Sequence, residues 1–283
     1  MKKLKSILKL MRVHQWVKNG FLFLPLIFSG EFIHFNKDLV NILAFVSFSL
    51  MASTVYIFND IRDVESDRKH SKKKTRPIAA NIISVSFAWV LAAILLIISI
   101  FIALYLETSF VLILVTYLIL NILYTTYLKH VAVVDIIVLA VFYIIRVLAG
   151  GIVTGVDLSS WILLTTFFFA LFLGSGKRYA ELANNGSSSR KVLEHYTNDF
   201  LKYVLTLASF STILFYSLYT TTKSLAFELS IVFVVLGFML YFYELFSGEL
   251  VEDPVSALFK SKPLITLVVI WGFYMLGILA FKI

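Results

Sequence analysis

Residues 78–106 read IAANIISVSFAWVLAAILLIISIFIALYL, a run of 29 residues without one charged side chain. About 20 consecutive apolar residues are enough for a helix to cross the hydrocarbon core of a bilayer. The run is apolar on every face, so it has neither the one-sided stripe of a surface helix nor the two-residue alternation of a membrane barrel strand. Outward from it, residues 39–58, 108–128, 158–176, 203–222 and 263–281 are equally free of charge. Three further stretches are interrupted: 20–35 by Glu31 and His34, 131–156 by Asp135 and Arg146, and 225–246 by Glu228 and Glu244. The pattern predicts an all-α, polytopic membrane protein with nine transmembrane helices.

The composition agrees. Over 283 residues the hydrophobic share is 60% and the mean hydropathy +0.90, which excludes soluble globular, disordered and collagenous classes. There is no cysteine, so disulfide frameworks, thiolate nucleophiles and thiolate metal sites are excluded, and any metal must be held by oxygen or histidine. The Lys-rich start followed by the apolar residues 21–28 also has the form of a secretory leader. Its basic region reaches Lys18, however, and further apolar segments follow, so a retained span is expected. No internal repeat or separate soluble region is evident, and one membrane domain over residues 1–283 is the expectation.

With nine helices the connecting loops alternate sides. On that assignment one face carries 21 Lys and Arg residues and the other three, Lys37, Lys223 and Lys282, with Arg146 inside a span. Lys and Arg accumulate on cytoplasmic loops. The N-terminus is therefore expected in the cytoplasm and the C-terminus outside, with the helices bundled around a polar cavity that opens to the cytoplasm. The two polar loops able to carry chemistry, residues 59–77 and 177–202, fall on that face, where phosphorylated metabolites and magnesium are available.

The first of these loops is the richest stretch. Asn59, Asp63 and Asp67 stand four residues apart, so on a helix they fall on one face at about 6 Å per step, with Tyr56 about one turn earlier and with Asp60 and Glu65 pointing elsewhere. Hard oxygen donors in a row suit magnesium, which bridges to substrate phosphates. Directly after them come Arg68, Lys69, Lys72, Lys73, Lys74 and Arg76. Cations at a cytoplasmic helix end can be topology signals or contacts with lipid headgroups. Beside carboxylates at this spacing they also complete the requirements of a metal–diphosphate complex: oxygens for the metal, Lys and Arg for the remaining phosphate oxygens.

Asn59-Asp60-x-x-Asp63-x-x-x-Asp67 followed by Arg76-Pro77 resembles the first Asp-rich motif of the UbiA-type intramembrane prenyltransferase superfamily. Together with residues 14–19 (HQWVKN), 76–80 (RPIAA) and 176–182 (GKRYAEL), it resembles the decaprenyl-phosphate phosphoribosyltransferase branch, from about residue 10 onward. Aromatic prenyltransferases of the superfamily carry a second Asp-rich motif in the later loop, where this chain has Lys177, Arg178 and Glu181, with aspartate only at Asp199. The resemblance implies a single transferase domain that moves 5-phosphoribose from phosphoribosyl diphosphate to a polyprenyl phosphate, for cell-envelope glycan precursors. It implies Mg2+ as cofactor, held by Asn59, Asp63 and Asp67. Asp63, Asp67, Lys18 and Arg146 would serve catalysis. Lys18, Tyr56, Lys73, Arg76, Lys129, Arg146, Lys177, Arg178 and Glu181 would bind substrate. The implied partners are the two substrates and the membrane, in a bacterial-type plasma membrane; nucleic acid is not expected, and homo-oligomerisation is left open.

Each residue also has a plainer reading. Arg146 lies mid-span, where a guanidinium marks a functional site unless it is structurally paired, and Asp135, 11 residues earlier, is about 16 Å away along the axis. Lys129 at a helix end can simply snorkel, and Lys177 with Glu181 can form a surface ion pair. Arg190 and Tyr196 follow the linker-like residues 186–189, where a loop would close over the donor. The five histidines, His14, His34, His70, His130 and His195, show no metal spacing. Gly150-Gly151 reads as close helix packing. Two other functions share these features: an aromatic prenyltransferase using a polyprenyl diphosphate, and a nonenzymatic lipid binder or transporter.

Overall fold

A computed structural model describes residues 2–30, 35–69, 73–185, 191–247 and 260–281. His34, His70, Lys72, Lys282, residues 186–189 and Arg190 lie outside them. The described residues are helical and contain no strand. The helices are α1 (Lys2–Leu10), α2 (Leu24–Ser29), α3 (Phe35–Arg62), α4 (Val64–Lys69), α5 (Val85–Leu106), α6 (Thr108–Thr126), α7 (Val134–Thr154), α8 (Ser160–Asn185), α9 (Asn198–Thr220), α10 (Leu225–Leu229), α11 (Ile231–Ser247) and α12 (Lys262–Phe281). Among the described residues, eight helical stretches are long and apolar enough to cross a membrane. The chain is an integral membrane protein with an all-α fold.

Eight of the nine expected spans are these stretches. The ninth, residues 20–35, is described only to Gly30 and from Phe35: there a 3-10 helix, Val13–Phe23, leads into the six-residue α2, which Gly30 closes at φ 78. The polar residues of the 3-10 segment are turned toward α3. Trp16 Nε1 donates to Ser53 Oγ at 3.0 Å and Asn19 Nδ2 to Ser49 Oγ at 2.9 Å, so the segment is held against a serine face of α3. The stretch 225–246 also breaks, at Ser230, whose hydroxyl is within 2.6 Å of the Tyr216 hydroxyl. Residues 78–84 form turns rather than the start of α5, which begins only where Ser84 Oγ accepts the Phe87 N–H at 3.3 Å. A single extended residue, Glu107, joins α5 to α6.

The chain divides into two compact units, residues 1–126 with 145–157 and residues 127–144 with 158–283. In the first, α3 and α5 are joined by a reciprocal bond pair: Ser47 Oγ donates to the Ser99 carbonyl and Ser99 Oγ to the Ser47 carbonyl, each at 2.8 Å. Hydroxyl pairing of this kind is a common fastening between helices in lipid. A core of Leu10, Ile57, Ile78, Ile83, Ala88, Ala92 and Leu95 lies alongside. The second unit is built on Phe172, whose ring meets Phe238 at 4.7 Å, Tyr241 at 4.9 Å and Phe242 at 5.4 Å. Outward-facing Ile97, Phe101, Leu104 and Tyr105 on α5 are exposed, as lipid-facing side chains are.

Gly150 on α7 admits the 3-10 segment: a Cβ there would fall 1.9 Å from the Leu22 carbonyl oxygen, a backbone atom. Gly150→Ala is therefore expected to cost about 1–3 kcal/mol, read as a lower unfolding temperature in detergent. Gly272→Ala, on α12 where nothing lies within 4 Å, is expected to leave that temperature unchanged or raise it.

Candidate active site

Helix α3 delivers Tyr56, Asn59 and Asp60 at its C-terminal end, and the helical register runs on into α4. The Asp63 N–H donates to the Asn59 carbonyl at 2.9 Å and the Asp67 N–H to the Asp63 carbonyl at 2.8 Å. The four-residue spacing of Asn59, Asp63 and Asp67 is thus a real succession of turns. Their side chains have different surroundings. Asn59 Oδ1 accepts the Thr125 hydroxyl of α6 at 2.7 Å. Asp67 is buried, and its Oδ2 accepts Arg76 Nη1 at 2.6 Å. Asp63 and Asn59 are half-buried.

The centre of charge is Asp60, which the sequence reading had left aside. Only 3% exposed, it accepts Arg12 Nη2 at 2.5 Å and Arg76 Nη1 at 3.1 Å. One nitrogen of Arg76 therefore bridges Asp60 and Asp67, tying α3 to α4 through the turn that follows. The Arg12 guanidinium also lies over the Tyr56 ring, 4.9 Å from its centroid. Arg12 itself sits at φ 52, ψ 46, the left-handed conformation that redirects the chain from α1 into the 3-10 segment. Lys18 and Lys73 are half-buried in the same unit.

Magnesium takes one or two carboxylates and completes its shell with water and substrate phosphates, rather than using an all-protein cage. Asn59 and Asp63 fit that habit: they are hard oxygen donors on successive turns, and Asn59 Oδ1 keeps a second lone pair beside Thr125. Asp67 shares its charge with Arg76. Among the described residues, no group of three His, Asp or Glu side chains converges at metal-binding distance.

Arg146, 4% exposed, lies in the same unit, deeper along the spans. Its Nε donates to Asn19 Oδ1 at 2.8 Å and its Nη2 to the Tyr117 hydroxyl at 3.3 Å. Its guanidinium carbon stands 5.0 Å from the Phe48 ring centroid and 5.1 Å from that of Tyr117. An aromatic and amide box of this kind stabilises a cation through ring quadrupoles and an oriented carbonyl.

In the second unit, Arg178 is 1% exposed; its Nε donates to Asp135 Oδ2 at 2.6 Å and its Nη1 to Glu181 Oε2 at 2.7 Å. The structure thus joins Arg178, Glu181 and Asp135, where the sequence had offered a Lys177–Glu181 pair and had set Asp135 too far from Arg146 for contact. Tyr196 completes the cluster by donating to Asp135 Oδ1 at 2.5 Å and accepting the Val133 N–H at 2.6 Å. Val133 sits at φ 69, a costly conformation for a β-branched residue. Burial, and then the bond to Asp135, raise the Tyr196 phenol above its ordinary pKa, so it remains a donor at physiological pH. Lys129 and Lys177 are half-buried. Sequence reasoning missed Arg12, Asp60 and Thr125 in the first unit, and in the second it named Asp135 and Tyr196 without joining them to each other or to Arg178. The contacts Arg12–Asp60, Asn59–Thr125, Asp135–Arg178 and Asp135–Tyr196 span 43 to 66 residues, so no local spacing announces them.

Removing one member of a buried ion pair typically costs about 3–5 kcal/mol, because the other is stranded. Arg178→Met is expected to lower thermal stability on that scale, and Arg178→Met with Asp135→Asn to recover part of the loss. Equal losses in the two variants would show that charge pairing is not what Arg178 contributes.

Comparison with known proteins gives the site its context. The UbiA prenyltransferase family model matches residues 23–261. A decaprenyl-phosphate phosphoribosyltransferase of Mycobacterium tuberculosis is 37% identical over 279 residues, covering 94% of this chain and 91% of that protein. The protein of the same name from Mycolicibacterium smegmatis is 37% identical over 231 residues, covering 79% of this chain and 73% of its own. Among solved structures, a UbiA homolog from Archaeoglobus fulgidus bound to DMAPP and Mg2+ superposes with a TM-score of 0.74 at 18% identity, covering 97% of this chain and 99% of that one. On sequence and fold together, the chain belongs to the UbiA prenyltransferase family.

Proposed function

We propose that this protein is a transferase that moves the 5-phosphoribosyl group of phosphoribosyl diphosphate onto a polyprenyl phosphate of decaprenyl type, releasing diphosphate, for cell-envelope glycan precursors. The observation that carries this reading is the 37% identity, over 94% of the chain, to a protein named for that activity. The reaction breaks the bond between ribose C1 and the diphosphate oxygen and forms one between C1 and a lipid phosphate oxygen. The acceptor is already anionic at neutral pH, so no strong base is required, and the negative charge departs with diphosphate. What the protein must supply is positioning and charge complementarity.

Asn59 and Asp63 are the proposed magnesium ligands, with Asp67 contributing its remaining oxygen while it holds Arg76. Bound magnesium would supply charge neutralisation to the leaving diphosphate. Arg76, fixed by Asp60 and Asp67, Lys73 and Lys18 would meet the donor's phosphate oxygens, and the Tyr56 hydroxyl would donate to a phosphate or ribose oxygen. Arg146 would set the electrostatics deeper in the first unit. Lys129 and Lys177 are the cations proposed for the lipid phosphate. Arg178 and Glu181 are assigned to positioning, since their charges are already directed at each other and at Asp135. The whole chain would act as one transferase domain in a bacterial-type plasma membrane, N-terminus in the cytoplasm and C-terminus outside.

The test is diphosphate release by detergent-purified protein given phosphoribosyl diphosphate, magnesium and a polyprenyl phosphate. Release that requires the lipid supports the reaction. Asp63→Ala is expected to lower the rate at least about 100-fold, the scale of losing a principal electrostatic contact to the leaving group. Release only from a polyprenyl diphosphate with an aromatic acid would overturn the substrate assignment.

A further inference from the structure

Helix α1, Lys2–Leu10, carries four lysines and no acidic residue. Its apolar residues divide between two directions. Leu10 is fully buried in the core with Ile57, Ile78, Ile83 and Ala88, and Ile7 packs against that core. Leu4 and Leu8, one turn apart, face away and are 63% and 46% exposed, flanked by exposed Lys5 and Lys9. Lys9 Nζ donates to the Thr75 carbonyl at 3.0 Å, fastening the end of α1 to the turn before Arg76.

On a soluble protein two exposed leucines would need no explanation. Here the helix is fastened where two membrane spans end: Ile57 lies near the C-terminus of α3, and Ala88 lies in the first turn of α5. Spans end where hydrocarbon gives way to headgroups, and a short basic helix with a leucine edge has the composition of one that lies in that boundary. A second copy of the chain is a poor occupant of the same face, because it would bring lysine against lysine. We propose that α1 binds an anionic phospholipid surface, with Leu4 and Leu8 entering the acyl–headgroup boundary and Lys5 and Lys9 meeting phosphate oxygens. Lys9 keeps two N–H donors beyond the one given to Thr75.

The absence of cysteine makes the test clean. Full-length Leu8→Cys, and separately Leu4→Cys, would carry one environment-sensitive fluorophore each in vesicles of phosphatidylcholine alone or mixed with phosphatidylglycerol. Both positions face away from the core, and a thermal transition equal to that of the unlabelled protein confirms the fold. In the mixed vesicles both labels are expected to be shielded from an aqueous quencher and reached by a lipid-soluble one. Lys5→Gln is expected to weaken that shielding about fivefold, as is usual for one lysine at an anionic surface. Labels open to the aqueous quencher in both vesicle types would overturn the proposal. So would shielding that is equal in neutral vesicles and indifferent to Lys5→Gln, or shielding that depends on the protein-to-lipid ratio, which would assign the face to a second copy.

Discussion

A carboxylate withdrawn from water must find a cation within hydrogen-bond reach, because an isolated buried charge costs several kcal/mol or more. In this protein Asp60 answers that demand with two arginines, and much of the first unit's polar architecture follows from it. Arg12 comes from the link between α1 and the 3-10 segment, and Arg76 from the turn before α5, so one carboxylate gathers three parts of the chain. Because Arg76 also takes Asp67, the first turn of α4 is fixed relative to α3. The half-buried Asn59 and Asp63 then stand on a frame whose neighbouring charges are already balanced.

The second unit meets the same demand differently. Asp135 is completely buried and receives both Arg178 and the Tyr196 hydroxyl. Tyr196 also takes up the Val133 N–H, at the strained residue that opens α7. The cluster therefore joins α7, α8 and the segment before α9. Of the two neighbouring basic residues, Arg178 is buried against Asp135 and Glu181, and Lys177 is half-buried.

The membrane class and most of the spans were legible because apolar runs are a local signal. Each charge-free stretch reads the same whatever surrounds it, so residues 108–128 and 263–281 correspond closely to α6 and α12. The spacing of Asn59, Asp63 and Asp67 was legible for the same reason. What the apolar run of residues 20–35 did not announce is the 3-10 path up to Phe23, along which Trp16 and Asn19, lying before the run, bond to serines of α3. Asp60 was passed over because helical periodicity sets it off the face of the motif; that places it toward the interior, where Arg12, 48 residues away, reaches it. Arg146 was rightly singled out as unusual, but its Asn19 and aromatic partners come from other helices and carry no charge to mark them.

The link between α5 and α6 limits how those two helices can move. A single residue, Glu107, separates the end of one span from the start of the next, and one extended residue covers only about 3.5 Å. The end of α5 and the start of α6 are therefore held side by side. Residues 85–126 therefore form a closed helical hairpin whose two arms can shift or tilt only together, with Glu107 at the tip.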